Sequence, residues 1–86
     1  MPVISMFYGI IITMYNTKEH NPPHFHARYQ GQSAVFDMNG DMIEGDFPKK
    51  QQKFVAAWAE IHRDELLANW ELATENNTLF KIDPLK

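Results

Sequence analysis

Eighty-six residues make one domain and leave no room for two, so residues 1–86 read as a single unit. The absence of cysteine excludes a disulfide scaffold, thiolate metal ligands and a thiol nucleophile, and a small domain without disulfides is expected in the cytoplasm. A formal net charge of −3 excludes a chain-wide basic signature for nucleic acid, whereas 44% hydrophobic residues, with 13% aromatic, argue for a packed core over disorder.

Residues 3–15, VISMFYGIIITMY, are rich in Ile, Val, Tyr, Phe and Thr, which favours strand over helix. The stretch has no cationic leader, no small-residue cleavage site follows it, and thirteen residues are too few to span a bilayer as a helix. No membrane partner is therefore expected. As one strand it carries apolar residues on both faces: Met6, Tyr8, Ile10, Ile12 and Met14 on one, Phe7, Ile11 and Tyr15 on the other. That pattern predicts a central strand covered on both sides. Residues 16–23 form a loop stiffened by Pro22 and Pro23. Residues 24–29, HFHARY, alternate strictly, with His24, His26 and Arg28 facing one way and Phe25, Ala27 and Tyr29 the other. Gln30-Gly31 reads as a hairpin turn, residues 32–38 as the return strand, Asn39-Gly40 as a type I′ turn, and residues 41–45 as a further pairing strand.

Asp46-Phe47-Pro48 predicts a helix start, an acidic cap with a proline in the first turn. Phe54, Val55, Trp58, Ile61, Leu66, Trp70 and Ala73 follow close to helical spacing, so the helix either runs unbroken to about Glu75 or breaks near His62-Arg63-Asp64. Asn76-Asn77 is a plausible stop, and residues 79–82 could add a short edge strand. The expected fold class is α+β: an antiparallel meander of about four to five strands with one long, unbroken or broken, C-terminal helix packed on one face.

Chemistry concentrates in the run His20-Asn21-Pro22-Pro23-His24-Phe25-His26-Ala27-Arg28. His24 and His26, spaced i, i+2 on one side of a strand, sit roughly 6–7 Å apart along it. Imidazoles titrate near neutrality, so a pair can divide acid and base duties, and Arg28 on the same face can hold a phosphate by its bidentate fork. The trio suits metal-independent cleavage of RNA, with His24, His26 and Arg28 as the catalytic candidates. His20 and Asn21 flank them as binding candidates. A zinc site built from His20, His24 and His26 with Asp37 or Glu44 is a rival reading, and a polar outer sheet face is the plain structural one. No metal and no other cofactor is expected, because the two strand histidines do not by themselves converge with His20 across two prolines.

Lys49, Lys50 and Lys53 oppose the dipole of the helix they open, so local stability does not explain them; they are either an anion-binding cluster or solvated surface. Trp58 and Trp70, twelve residues apart, fall on one face of a continuous helix, as core or as a partner anchor. His62 lies on or beside that stripe and is a binding candidate or a satisfied helix histidine.

Three blocks carry a resemblance: Pro2-Val3-Ile4-Ser5-x-Phe7-Tyr8-Gly9-Ile10, Asn21-Pro22-Pro23-His24-Phe25-His26-Ala27-x-Tyr29, and Trp58-Ala59-x-x-His62-x-x-x-Leu66-x-x-Asn69-Trp70. Together they resemble a bacterial family known as domain of unknown function 4160, over nearly the whole chain. The resemblance implies a gene often placed beside that of a second small domain, in the layout of a toxin–antitoxin pair with this family as the toxin. It implies no catalytic residues. The expected function is a toxin acting on RNA or translation and held by a cognate antitoxin-like protein. Its rival is a non-enzymatic interaction module that forms a homodimer or a heteromeric complex over the apolar first strand.

Overall fold

The computed structural model describes residues 3–15 and 22–86. Strands β1 (Val3–Phe7), β2 (Ile10–Thr13), β3 (His24–Tyr29), β4 (Gln32–Asp37) and β5 (Met42–Gly45) form one antiparallel sheet in chain order, followed by helices α1 (Lys49–Ile61) and α2 (Arg63–Thr74). The α+β meander is as expected from sequence, with five strands.

Residues 3–15 are two strands and not one. The chain reverses at Tyr8-Gly9, both left-handed (φ 49° and 79°), as a type I′ turn requires. The reversal resolves the two-faced apolar pattern. Ile4, Phe7, Ile10, Ile12 and Met14 are buried, whereas Met6 is 61% and Tyr8 55% exposed. β1 is therefore an edge strand, not a central one. Tyr8 is an unusual residue for a left-handed position, and its ring rests on Phe54 of α1, with centroids 5.0 Å apart.

Gln30-Gly31 makes a second turn of the same kind (φ 46° and 81°), as expected. Asn39-Gly40 does not. There only Gly40 is left-handed (φ 86°), and its N–H donates to the Asp37 carbonyl at 3.0 Å. The Asp37 carboxylate accepts from the N–H groups of Asn39 (2.8 Å) and Asp41 (3.0 Å), which closes a three-residue loop ahead of the shorter one. A Cβ on Gly40 would stand 2.6 Å from the Ala56 Cα, so α1 lies directly against this turn.

The helix begins after Pro48 (φ −60°), without the Asp46 side-chain cap expected from sequence. One long helix is not what forms. It breaks at His62 (φ −109°, ψ 25°), although the His62 N–H still reaches the Trp58 carbonyl and the Leu66 N–H the His62 carbonyl. Asp64 and Glu65 then sit in the first turn of α2, where carboxylates suit the dipole. Trp58 and Trp70 consequently occupy different helices. Trp58, fully buried, meets Phe7 and Phe25 on the inner face of the sheet, where Phe25 also stacks on Phe36. α2 stops at left-handed Asn76, as expected: the Asn76 N–H returns to Ala73 and the Asn77 N–H to Leu72, the paired bonds of a Schellman end.

Residues 79–82 do not form a strand. The segment after α2 is an extended strap along the β1 edge, joined to it by one backbone bond, Ile82 N–H to Ile4 carbonyl (2.7 Å). Side chains pin the rest. Buried Asn69 donates to the Phe80 carbonyl (2.9 Å) and accepts from the Phe80 N–H (3.0 Å), and the Trp58 indole N–H donates to the Asp83 carbonyl (2.8 Å). Among the described residues no helix is long and apolar enough to cross a membrane.

Candidate functional site

The helices pack on the inner face of the sheet, and on the outer face Met6, Arg28, Ser33 and Glu44 are exposed. Register decides what lies there, because residues directly opposite on neighbouring strands share a face. One row runs Met6, Ile11, Arg28, Ser33; the next runs Val3, Thr13, His26, Val35, Glu44; a third pairs His24 with Asp37. The alternation of residues 24–29 holds as read from sequence. Phe25 and Ala27 are fully buried, His24 and His26 half-buried, and Arg28 exposed.

His24 and His26 are adjacent, their ring centroids 5.4 Å apart. The Nδ1–H of His24 donates to the Pro22 carbonyl at 3.0 Å, which directs its Nε2 away from the backbone. The proline-stiffened loop thus sets the tautomer of the first histidine. Burial, and then the charge of neighbouring His24, push His26 below the ordinary imidazole value of 6.5, with Glu44 acting in the opposite direction. His26 is therefore more readily neutral than an ordinary imidazole, and the neutral form is the one that accepts a proton.

Two rings that sequence reasoning did not attach to this site complete it. Tyr15 meets His26 edge-on (4.6 Å, 88°), and Trp70 of α2 lies against His24 (5.0 Å). Trp70 gave no sequence signal for this role, because its helical spacing pointed to the core or to a partner anchor and not to the histidines. Ser33 carried a readable signal. The two-residue Gln30-Gly31 turn dictates that Arg28 faces Ser33 and His26 faces Val35. The outer face is also concave. A depression of about 430 Å³ is lined by Ile11, Arg28, Gln30, Gln32 and Ser33, and one of about 320 Å³ by His26, Ser33, Val35 and Glu44.

The remaining candidates lie elsewhere. Lys49, Lys50 and Lys53 are exposed at the start of α1, where Lys49 and Lys53 line a groove with Asp41 and Met42, apart from the histidines. His62 sits at the helix break, with Nδ1 2.7 Å from Glu65 Oε1 and its ring 5.9 Å from that of Trp58. His20 and Asn21 lie outside the described residues, so the zinc reading that used His20 does too. Among the described residues no three His, Asp or Glu side chains cluster as a metal site, and Asp37 is engaged in its turn.

The profile of a family described as "Domain of unknown function (DUF4160)" matches residues 9–71, about three quarters of the chain, and the chain belongs to that family. No curated protein matches the chain. No solved structure matches it.

Proposed function

We propose that this DUF4160 protein binds RNA on the outer sheet face and cleaves it without a metal, as the toxin of a two-gene module restrained by a cognate antitoxin-like protein in the cytoplasm. The observation that carries the reading is the His24–His26 pair, 5.4 Å between rings, with Arg28 exposed on the same face. In this mechanism neutral His26 takes the proton of a ribose 2′-hydroxyl, whose oxygen attacks the adjacent phosphorus. Protonated His24, still bonded to Pro22, gives its Nε2 proton to the departing 5′-oxygen. The products are a 2′,3′-cyclic phosphate and a free 5′-hydroxyl. Arg28 pairs with the non-bridging oxygens as charge builds on them.

The test combines cleavage of an unstructured RNA by purified protein with growth on induced expression, with and without the neighbouring gene. His24→Ala and His26→Ala each lower the cleavage rate by roughly 10²–10⁴ and relieve growth arrest. Full toxicity in both variants refutes the mechanism.

A second reading rests on a different observation. Met6 (61% exposed), Ile11 and Val35 place apolar surface among the polar groups of the same face. That mixture suits a protein partner or a second copy covering the face without catalysis, over at least about 1,000 Å² if the complex is stable. A complex in sedimentation, of the chain alone or with its neighbour's product, together with no RNA cleavage by the free chain favours this second reading; cleavage by the free chain favours the first.

A further inference from the structure

We propose that the outer face reads a guanine base, with Glu44 as the residue that recognises it. The inference rests on the RNA reading above and adds the identity of the nucleotide. Its ground is the row Thr13, His26, Val35, Glu44, which crosses from the histidine pair to the edge of the sheet. His26 and Glu44 are separated by two strand spacings, about 9.5 Å between backbones. That span is comparable with the reach from a nucleotide's phosphate to the far edge of its base. Between them lies Val35, half-buried and apolar, a floor on which a base can rest.

Glu44 is exposed at the end of this floor, and its charge is felt at His26. Both residues, with Ser33 and Val35, line the same depression of about 320 Å³. A carboxylate is an acceptor on both oxygens and a donor on neither. Guanine alone among the four bases presents two adjacent donors, N1–H and the 2-amino group, that a carboxylate can take as a pair. Cytosine and adenine set an acceptor beside their amino group, and uracil flanks its single N–H with two carbonyls, so each brings a lone pair against Glu44.

The adjoining depression gives the chain its direction. Arg28, Gln30, Gln32 and Ser33 line it, and Ser33 is common to both. Phosphates would follow β3 along His24, His26 and Arg28, while the base on the 5′ side of the reacting phosphate crosses β4 toward β5. The lysines of α1 take no part.

The probe is a set of fluorescein-labelled uridine pentamers, 2′-O-methylated so that they cannot be cleaved, whose central base is G, A, C or U, titrated with the protein by anisotropy. The guanine pentamer is expected to bind at least about fivefold tighter than the other three, since one bidentate base contact discriminates by about 1–3 kcal/mol, or roughly 5–150-fold. Glu44→Gln, which keeps one acceptor and loses the charge, collapses that preference and leaves the all-uridine pentamer bound as well as before or better. An unchanged melting temperature for Glu44→Gln shows that the exposed position was altered without unfolding the sheet. Equal binding of all four pentamers, weakened together by Arg28→Ala, overturns the guanine assignment and keeps the RNA face. No binding of any pentamer overturns both.

Discussion

Replacing Phe25 or His26, neighbours on one strand, by alanine separates the inner face of the sheet from the outer. Phe25 is fully buried, stacks on Phe36 with ring centroids 5.7 Å apart and nearly parallel planes, and meets Trp58 edge-on at 5.7 Å. Truncating a phenylalanine in such surroundings costs about 3–5 kcal/mol, transfer and cavity together. A domain of this size has a total stability of about 4–13 kcal/mol, so Phe25→Ala removes a large part of it. At roughly 4–8 °C per kcal/mol the melting temperature falls by at least about 12 °C. His26 is half-buried, and its ring contacts are the edge of Tyr15 and the ring of His24. Its removal opens no enclosed cavity and costs under about 1 kcal/mol. Thermal and urea denaturation followed by circular dichroism at pH 7.5 measure both variants, with RNA cleavage measured in parallel. His26→Ala is expected to stay folded and lose activity; Phe25→Ala, where it folds, keeps activity at low temperature. If His26→Ala loses as much stability as Phe25→Ala, the outer ring is part of the packing and the division of the strand into two faces is refuted.

Three further outcomes follow from the structure. His26, held below 6.5, is neutral in both folded and unfolded chains at high pH; as pH drops through 6.5 the unfolded chain takes up a proton that the folded one does not, so stability declines until the lower folded value is passed. His26→Gln should flatten that part of a stability-versus-pH curve, and an unaltered curve would count against the burial of the ring. Asn69→Ala leaves the N–H and carbonyl of Phe80 without their side-chain partner, at a cost of about 2–3 kcal/mol, and hydrogen exchange should show the strap loosening first. Gly40→Ala meets both a left-handed φ of 86° and a 2.6 Å approach to the Ala56 backbone, so urea denaturation should show a loss of at least about 2 kcal/mol; a neutral result would mean that α1 does not press on the turn.

The amino-acid sequence alone determined what rests on short-range stereochemistry. Strict alternation in residues 24–29 decided which side chains of β3 face the core, because a strand has a side-chain period of two. Gln30-Gly31 marked its turn, and Asn76 the end of α2, because left-handed positions select few residues. The Tyr8-Gly9 turn escaped the same reasoning. Tyrosine is a poor residue for that position, and its conformation is supported by Phe54, a helix residue far along the chain. Asn39-Gly40 misled for a related reason: the Asp37 carboxylate, and not the Asn-Gly pair, organises the loop. The break at His62 was open in the sequence, since helical spacing runs through it, and only the folded chain separates Trp58 in the core from Trp70 beside His24. The candidate site divides the same way. Its histidines and arginine share one strand and could be read from it, whereas Tyr15, Trp70 and Glu44 reach it from other elements. Their positions depend on strand register and on helix packing, long-range terms that no local pattern encodes.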